Sequence, residues 1–156
     1  MKRAGQGFAA VAVMLLGIAA LVAAQGHNPR IGKWKLKSDA PPPAINIMTY
    51  EPFGNGGMKV TVESKNAEGR EAKWTYTTMF DGKDEPVVGH PSADTTSVKK
   101  IDNRTTEIVN KKAGRVLQII TNVISEDGKT INNTYKNFDA EGKPTRETKA
   151  VYERIQ

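Results

Sequence analysis

Five triplets cut this chain into pieces too short for ordinary helices and of the right length for strands: Glu68-Gly69-Arg70, Asp81-Gly82-Lys83, Ala113-Gly114-Arg115, Asp127-Gly128-Lys129 and Glu141-Gly142-Lys143. Glycine supplies the positive φ that tight hairpin turns require, so each triplet reads as a hairpin connection. Gly114, Gly128 and Gly142 follow one another at a spacing of fourteen residues, one strand plus one turn. Asp102-Asn103-Arg104 supplies a turn without glycine. Between the turns the residues alternate apolar and polar, the pattern of a half-buried strand. The expected strands are Lys33–Lys37, Ile45–Glu51, Met58–Lys65, Glu71–Phe80, Glu85–Val88, Thr95–Ile101, Thr105–Lys111, Arg115–Ser125, Thr130–Phe138 and Thr145–Ile155. A meander this long exposes two edges, and closing it into a barrel removes them. A twisted open sheet or sandwich is the alternative.

The first residues have a different character. Lys2 and Arg3 precede an apolar, alanine-rich run from Phe8 to Val22, and Val22-Ala23-Ala24 offers small residues for cleavage. This is the pattern of a signal peptide over 1–24, and the apolar run is shorter than the ~20 residues of a membrane-spanning helix. It predicts export to the periplasm or the medium, with no transmembrane anchor after processing. Residues 25–31 are polar and are expected to be a flexible segment, leaving one domain over 32–156. Two Asn-x-Thr sequons, at Asn103 and Asn132, read as incidental.

Composition limits what such a domain can do. From Gln25 onward 41 of 132 residues are Ala, Val, Ile, Leu, Met, Phe, Trp or Tyr. That is too few for a thick two-layer core and enough for one sheet closed around a partly polar interior. With no cysteine in the chain, disulfides, thiolate catalysis and thiolate metal sites are excluded. Two histidines, His27 and His90, make no metal cluster. An amino-terminal Gln25-Gly26-His27 created by cleavage could chelate Cu(II) or Ni(II), but glutamine cyclisation would remove the amine. No metal and no cofactor are expected. The basic balance is spread through turns and strand faces with no run longer than two, a solubility pattern rather than a nucleic-acid surface.

The ends of the domain carry a resemblance. Gly32-Lys33-Trp34 opens the first strand, and Tyr152-Glu153-Arg154 closes the last. Gly-x-Trp and a terminal Tyr-Glu-Lys/Arg in these places resemble the calycin superfamily, the lipocalins and fatty-acid-binding proteins. The resemblance implies an all-β, antiparallel up-and-down meander closed into a barrel of 8–10 strands. It also implies a structural seal at one end, in which Arg154 covers the Trp34 ring beside Gly32. Two departures stand out. Ser38-Asp39-Ala40-Pro41-Pro42-Pro43 occupies the place of the helical lid of fatty-acid-binding proteins. Ala150 stands where those proteins carry the arginine that holds a carboxylate, two residues before the retained Tyr152.

Inside such a barrel, Glu71–Phe80 places Ala72, Trp74, Tyr76, Thr78 and Phe80 on one face. That stripe is either plain core or a cavity wall. Gln118 and Asn122 share a face with Val116, Ile120 and Ile124, and Asn133, Tyr135 and Asn137 share one on the next strand. Buried amides need partners, which a hydrated interior would supply. His90-Pro91-Ser92-Ala93-Asp94 holds the residue types of a catalytic triad, but within one loop and with no nucleophile elbow. It reads as a loop, and no catalytic residue is expected. The sequence therefore points to a monomeric, non-enzymatic exported protein binding a small apolar or amphipathic molecule, with Trp74, Tyr76, Tyr152, Gln118 and Tyr135 as contacts. The alternative is a cell-envelope interaction or inhibitor module that uses the barrel as a scaffold.

Overall fold

The computed structural model describes residues 28–156; the expected signal peptide and His27 lie outside them. All ten strands form one antiparallel sheet: β1 (Gly32–Leu36), β2 (Ile45–Phe53), β3 (Gly57–Lys65), β4 (Glu71–Thr78), β5 (Asp81–Pro86), β6 (Thr95–Lys100), β7 (Thr105–Lys112), β8 (Arg115–Ile124), β9 (Thr130–Phe138) and β10 (Pro144–Arg154). The order β4-β3-β2-β1-β10-β9-β8-β7-β6-β5 is a meander whose first and last strands pair with each other. There is no helix among the described residues. Residues 37–44, which include the three prolines, are a mostly exposed connector.

The sheet curls until its two edges, β4 and β5, approach. They share no continuous ladder. One bridge joins them, with Thr75 N–H donating to the Val88 carbonyl at 2.9 Å and Val88 N–H donating back at 3.0 Å. The barrel is nearly closed, and the bridge is formed by the connector after β5 rather than by β5 itself. This differs from one expected turn. Asp81-Gly82-Lys83 lies within β5, where the register against β6 shifts between Asp81 and Asp84. The corner falls earlier, at Phe80, whose φ of 61° is a left-handed conformation seldom taken by a side-chain-bearing residue. Thr78 Oγ1 accepts the Phe80 N–H at 2.9 Å and fixes that corner. The remaining four glycine triplets do connect hairpins, each with its glycine at positive φ.

One end of the barrel is sealed as the terminal motifs implied. Trp34 is fully buried, and the Arg154 guanidinium carbon stands 4.1 Å from its ring centroid. The indole N–H donates to the Arg30 carbonyl at 2.8 Å. Arg154 donates to the carbonyls of Gly128 at 2.9 Å and Ile31 at 2.8 Å, and also to that of Pro29. One side chain thus ties the β8–β9 turn and the entering chain to the last strand. A cation over an indole contributes ~0.5–2 kcal/mol. Gly32 is required for space: with φ at 135°, a Cβ there would stand 2.2 Å from the Gln156 carbonyl oxygen and 2.7 Å from an Arg154 nitrogen.

The main apolar cluster sits toward this end, on Trp34, Met48, Tyr50, Met58, Val60, Val62, Ile124, Ile131 and Tyr152. A smaller one, Val98, Ile108 and Ile120, lines the opposite wall. The outer faces carry lysine and glutamate in cross-strand pairs such as Lys73–Glu63 at 2.8 Å and Lys65–Glu71 at 2.9 Å. Both pairs are in direct register. Exposed pairs of this kind add little stability; they keep the lysine-bearing face outward.

Candidate functional site: a tyrosine-lined barrel cavity

The apolar clusters do not fill the interior. A cavity of about 220 Å³ remains between the middle of the barrel and the end opposite the seal. That is room for roughly seven waters at ~30 Å³ each. All four tyrosines of the chain line it: Tyr50, Tyr76, Tyr135 and Tyr152. Trp74, Gln118 and Ile120 share the wall, so each of the five contacts expected from the sequence borders this one space. The reason is strand period. Trp74 and Tyr76 alternate inward on β4, and Gln118 and Ile120 do so on β8, because successive side chains point to opposite faces. Ala150, which replaces the expected arginine, packs against the main apolar cluster. Among the described residues no Lys, Arg, Asp or Glu lines the cavity.

The polar groups of the interior form two hydrogen-bonded ladders. Near the open end, Thr96 Oγ1 donates to Asn110 Oδ1 at 2.9 Å and Asn110 Nδ2 to Gln118 Oε1 at 3.2 Å. Gln118 Nε2 then donates to Asn137 Oδ1 at 2.9 Å. Deeper, Arg30 Nε donates to Asn122 Oδ1 at 3.0 Å, Asn122 Nδ2 to Asn133 Oδ1 at 2.8 Å, and Asn133 Nδ2 to the Tyr135 hydroxyl at 3.0 Å. The expected need of the buried amides for partners is met within the protein. Two buried acceptors have no partner, Asp94 Oδ1 in the connector before β6 and Asn46 Oδ1, and of these Asn46 lines the cavity.

Arg30 departs from expectation. Residues 25–31 were expected to be flexible, yet Arg30 is only 3% exposed. Besides Asn122 Oδ1 it reaches the Arg104 carbonyl and, at 3.4 Å, the Asn122 carbonyl. The physical reason is the satisfaction of a guanidinium by buried carbonyls and an amide, which no local pattern encodes. The one legible signal was indirect: two inward asparagines on neighbouring strands call for a further polar partner. Burial lowers the Arg30 pKa from its usual value, against the raising influences of Tyr50 and Asp102. Burial likewise raises the phenols of Tyr50, Tyr76 and Tyr152 well above the ordinary range. They are neutral O–H groups at any physiological pH.

His90 closes the wall near the open end. Its ring meets Trp74 edge to face, 5.1 Å between centroids. Nδ1 accepts the N–H of Ser92 at 3.1 Å and of Ala93 at 2.9 Å, which leaves the proton on Nε2. Asp94 is turned away, its Oδ2 accepting the Ala113 N–H at 2.9 Å. Ser92 Oγ also stands 3.5 Å from Nδ1, but that nitrogen already takes two backbone N–H groups and Asp94 faces elsewhere, so the three side chains do not make a triad relay. Burial lowers the His90 pKa below the ordinary 6.5. A base held neutral by the fold binds fewer protons than it does unfolded, so stability falls as pH drops below about 6.5 and levels off below the folded pKa. We expect an NMR titration of His90 to give a midpoint under 6.5, with the Ser92 and Ala93 amides losing exchange protection over the same range. A midpoint above 6.5 would show that the fold holds the imidazolium instead.

A larger groove, about 710 Å³, lies at the sealed end against Arg30, Phe80, Arg104 and Ile124. None of the five expected contacts borders it.

A ten-stranded, nearly closed antiparallel meander with a tryptophan–arginine seal is a calycin-like barrel. Among solved structures the chain is similar to the fluorescent protein UnaG, at 13% identity and a TM-score of 0.54, covering 81% of this chain and 97% of that one. A mutant of UnaG aligns equally over this chain, with 12% identity, a TM-score of 0.53 and 96% of its own length covered. At this identity the likeness establishes the fold. No family model and no curated protein matches the sequence.

Proposed function

We propose that this protein is an exported, non-enzymatic binding protein that holds a small apolar or amphipathic molecule inside its barrel, with Trp74, Tyr76, Gln118, Tyr135 and Tyr152 as contacts. The supporting observation is the cavity itself: about 220 Å³ of space lined by four phenols and an indole, in a domain with few apolar residues to spare. A cavity of this size lies below the ~300 Å³ at which ordinary ligand clefts begin, so the ligand is small. The unpartnered Asn46 Oδ1 offers it an acceptor. The leader pattern supports export to the periplasm or medium, and the curling of the sheet until its two edges meet at the Thr75–Val88 bridge supports a monomer. Native mass spectrometry of protein purified from its own host should show a mass increment that solvent extraction removes. An unmodified mass, together with failure of apolar probes to quench Trp74 fluorescence in a Trp34→Phe background, would overturn the reading.

The scaffold alternative draws on Phe53, Met79 and Ile101, which are exposed at the connections of the sealed end. A stoichiometric protein recovered from envelope extract, and lost on Phe53→Ser with Met79→Ser, would favour it.

A further inference from the structure

The hydrogen-bond chain that starts at Arg30 has only one possible direction. A guanidinium donates and never accepts. Asn122 must therefore turn its carbonyl oxygen to Arg30 Nε, at 3.0 Å, and its NH₂ onward. Asn133 is bound by the same logic, receiving at Oδ1 at 2.8 Å and donating from Nδ2 to the Tyr135 oxygen at 3.0 Å. Thr106 Oγ1, which also donates to Asn122 Oδ1 at 3.5 Å, points the same way. The Tyr135 oxygen is thus already an acceptor, and its proton has to be given elsewhere.

Tyr152 lines the same cavity, its phenol raised by burial and by the neighbouring Tyr135. No acceptor among the described residues takes the Tyr135 proton, and both tyrosines line the cavity. A buried charge at the head of a chain of aligned donors polarises each bond in turn. The cavity consequently presents a strengthened O–H donor at its inner end and no cation on its wall.

We propose that the cavity recognises an uncharged carbonyl oxygen through the Tyr135 hydroxyl, and that buried Arg30 sets the polarity of this subsite through Asn122 and Asn133. The proposal rests on the ligand-binding reading above and specifies the ligand's chemistry. A carboxylate suits the site less well. It would lose its hydration and gain only neutral donors, whereas a ketone or amide oxygen gives up little hydration and gains a full hydrogen bond. Arg30 is a positioning residue: it stands two amides away from any ligand.

The test uses the purified protein, stripped of any bound ligand, with three aryl probes matched in carbon count: butylbenzene, butyrophenone and 4-propylbenzoate. Calorimetry at pH 7.5 should give butyrophenone about tenfold tighter than butylbenzene, the effect of one good hydrogen bond. The benzoate should be no tighter than the hydrocarbon. The infrared C=O band of bound butyrophenone should lie at lower wavenumber than in hexane. Tyr135→Phe should bring butyrophenone to the affinity that butylbenzene has for the same variant. Arg30→Met should return part of the band shift with butylbenzene affinity unchanged, a result that a purely structural role does not produce. Should that variant fail to fold, Asn133→Leu interrupts the chain nearer the Tyr135 hydroxyl and carries the same expectation.

Equal affinity for ketone and hydrocarbon would overturn the proposal and leave the ligand-binding reading standing. Tightest binding of the benzoate would overturn it as well, since a charged oxygen would then be the preferred partner. Binding of none of the three would overturn both. A band shift unaltered in Arg30→Met and in Asn133→Leu would remove the role assigned to Arg30.

Discussion

Trp34→Ala is expected to lower the unfolding free energy by about 3–5 kcal/mol, the range for truncating a buried aromatic ring. Trp34 is fully buried at the head of the main cluster, and its ring carries the Arg154 guanidinium at 4.1 Å. The truncation leaves a void and strands the Arg30 carbonyl that the indole N–H occupied. Arg154→Ala should cost less, about 2–3 kcal/mol, because it removes the cation–π contact and uncovers the carbonyls of Gly128 and Ile31. Both variants act on one contact, so the double variant should lose about 1 kcal/mol less than the sum. Urea unfolding at constant m-value measures all four corners of the cycle. Agreement with the sum to within ~0.5 kcal/mol would show that the two residues stabilise the barrel independently, and the seal would not be a unit.

Asn122→Leu is expected to cost a comparable amount, about 3–5 kcal/mol, although an amide is being replaced by an apolar side chain of similar size in a buried position. The change removes the acceptor of a buried cation and the donor to Asn133 in one step. Breaking one partner of a buried charged interaction leaves the other with its full desolvation cost. Arg30→Met should therefore be milder, about 1–2 kcal/mol, since it takes the charge away and leaves Thr106 Oγ1 on Asn122 Oδ1. Combining the two should be less destabilising than Asn122→Leu alone. An order in which Arg30→Met is the costlier single change would mean that the guanidinium stabilises the closed end by packing rather than by its bonds to Asn122.

The ten strands were legible because alternation and turn chemistry are local. Thr130–Phe138 needs only its own residues to read as a half-buried strand, and Gly114, Gly128 and Gly142 mark hairpins through the backbone conformation that each one permits. The seal was legible too, since Gly32, Trp34 and Arg154 sit at fixed places on the first and last strands. Their three-dimensional meeting follows from closing the meander on itself. A period of two places Trp74 with Tyr76, and Tyr135 with Asn133, on one face of its strand, while closure of the sheet decides that this face turns inward.

Other features depended on what approaches from elsewhere in the chain. Asp81-Gly82-Lys83 has the composition of a turn, yet β6 pairs alongside it and makes it a bulged strand. The β4–β5 gap is bridged by Thr75 and Val88, a choice made by the curvature of the whole sheet. Arg30 has no local signal, because its partners Asn122 and Arg104 are 92 and 74 residues away. Which inward side chains touch one another, and whether space is left between them, depends on barrel circumference and strand stagger. Alternation determined which face each residue takes. Closure of the sheet alone decided that four tyrosines from β2, β4, β9 and β10 would surround one cavity.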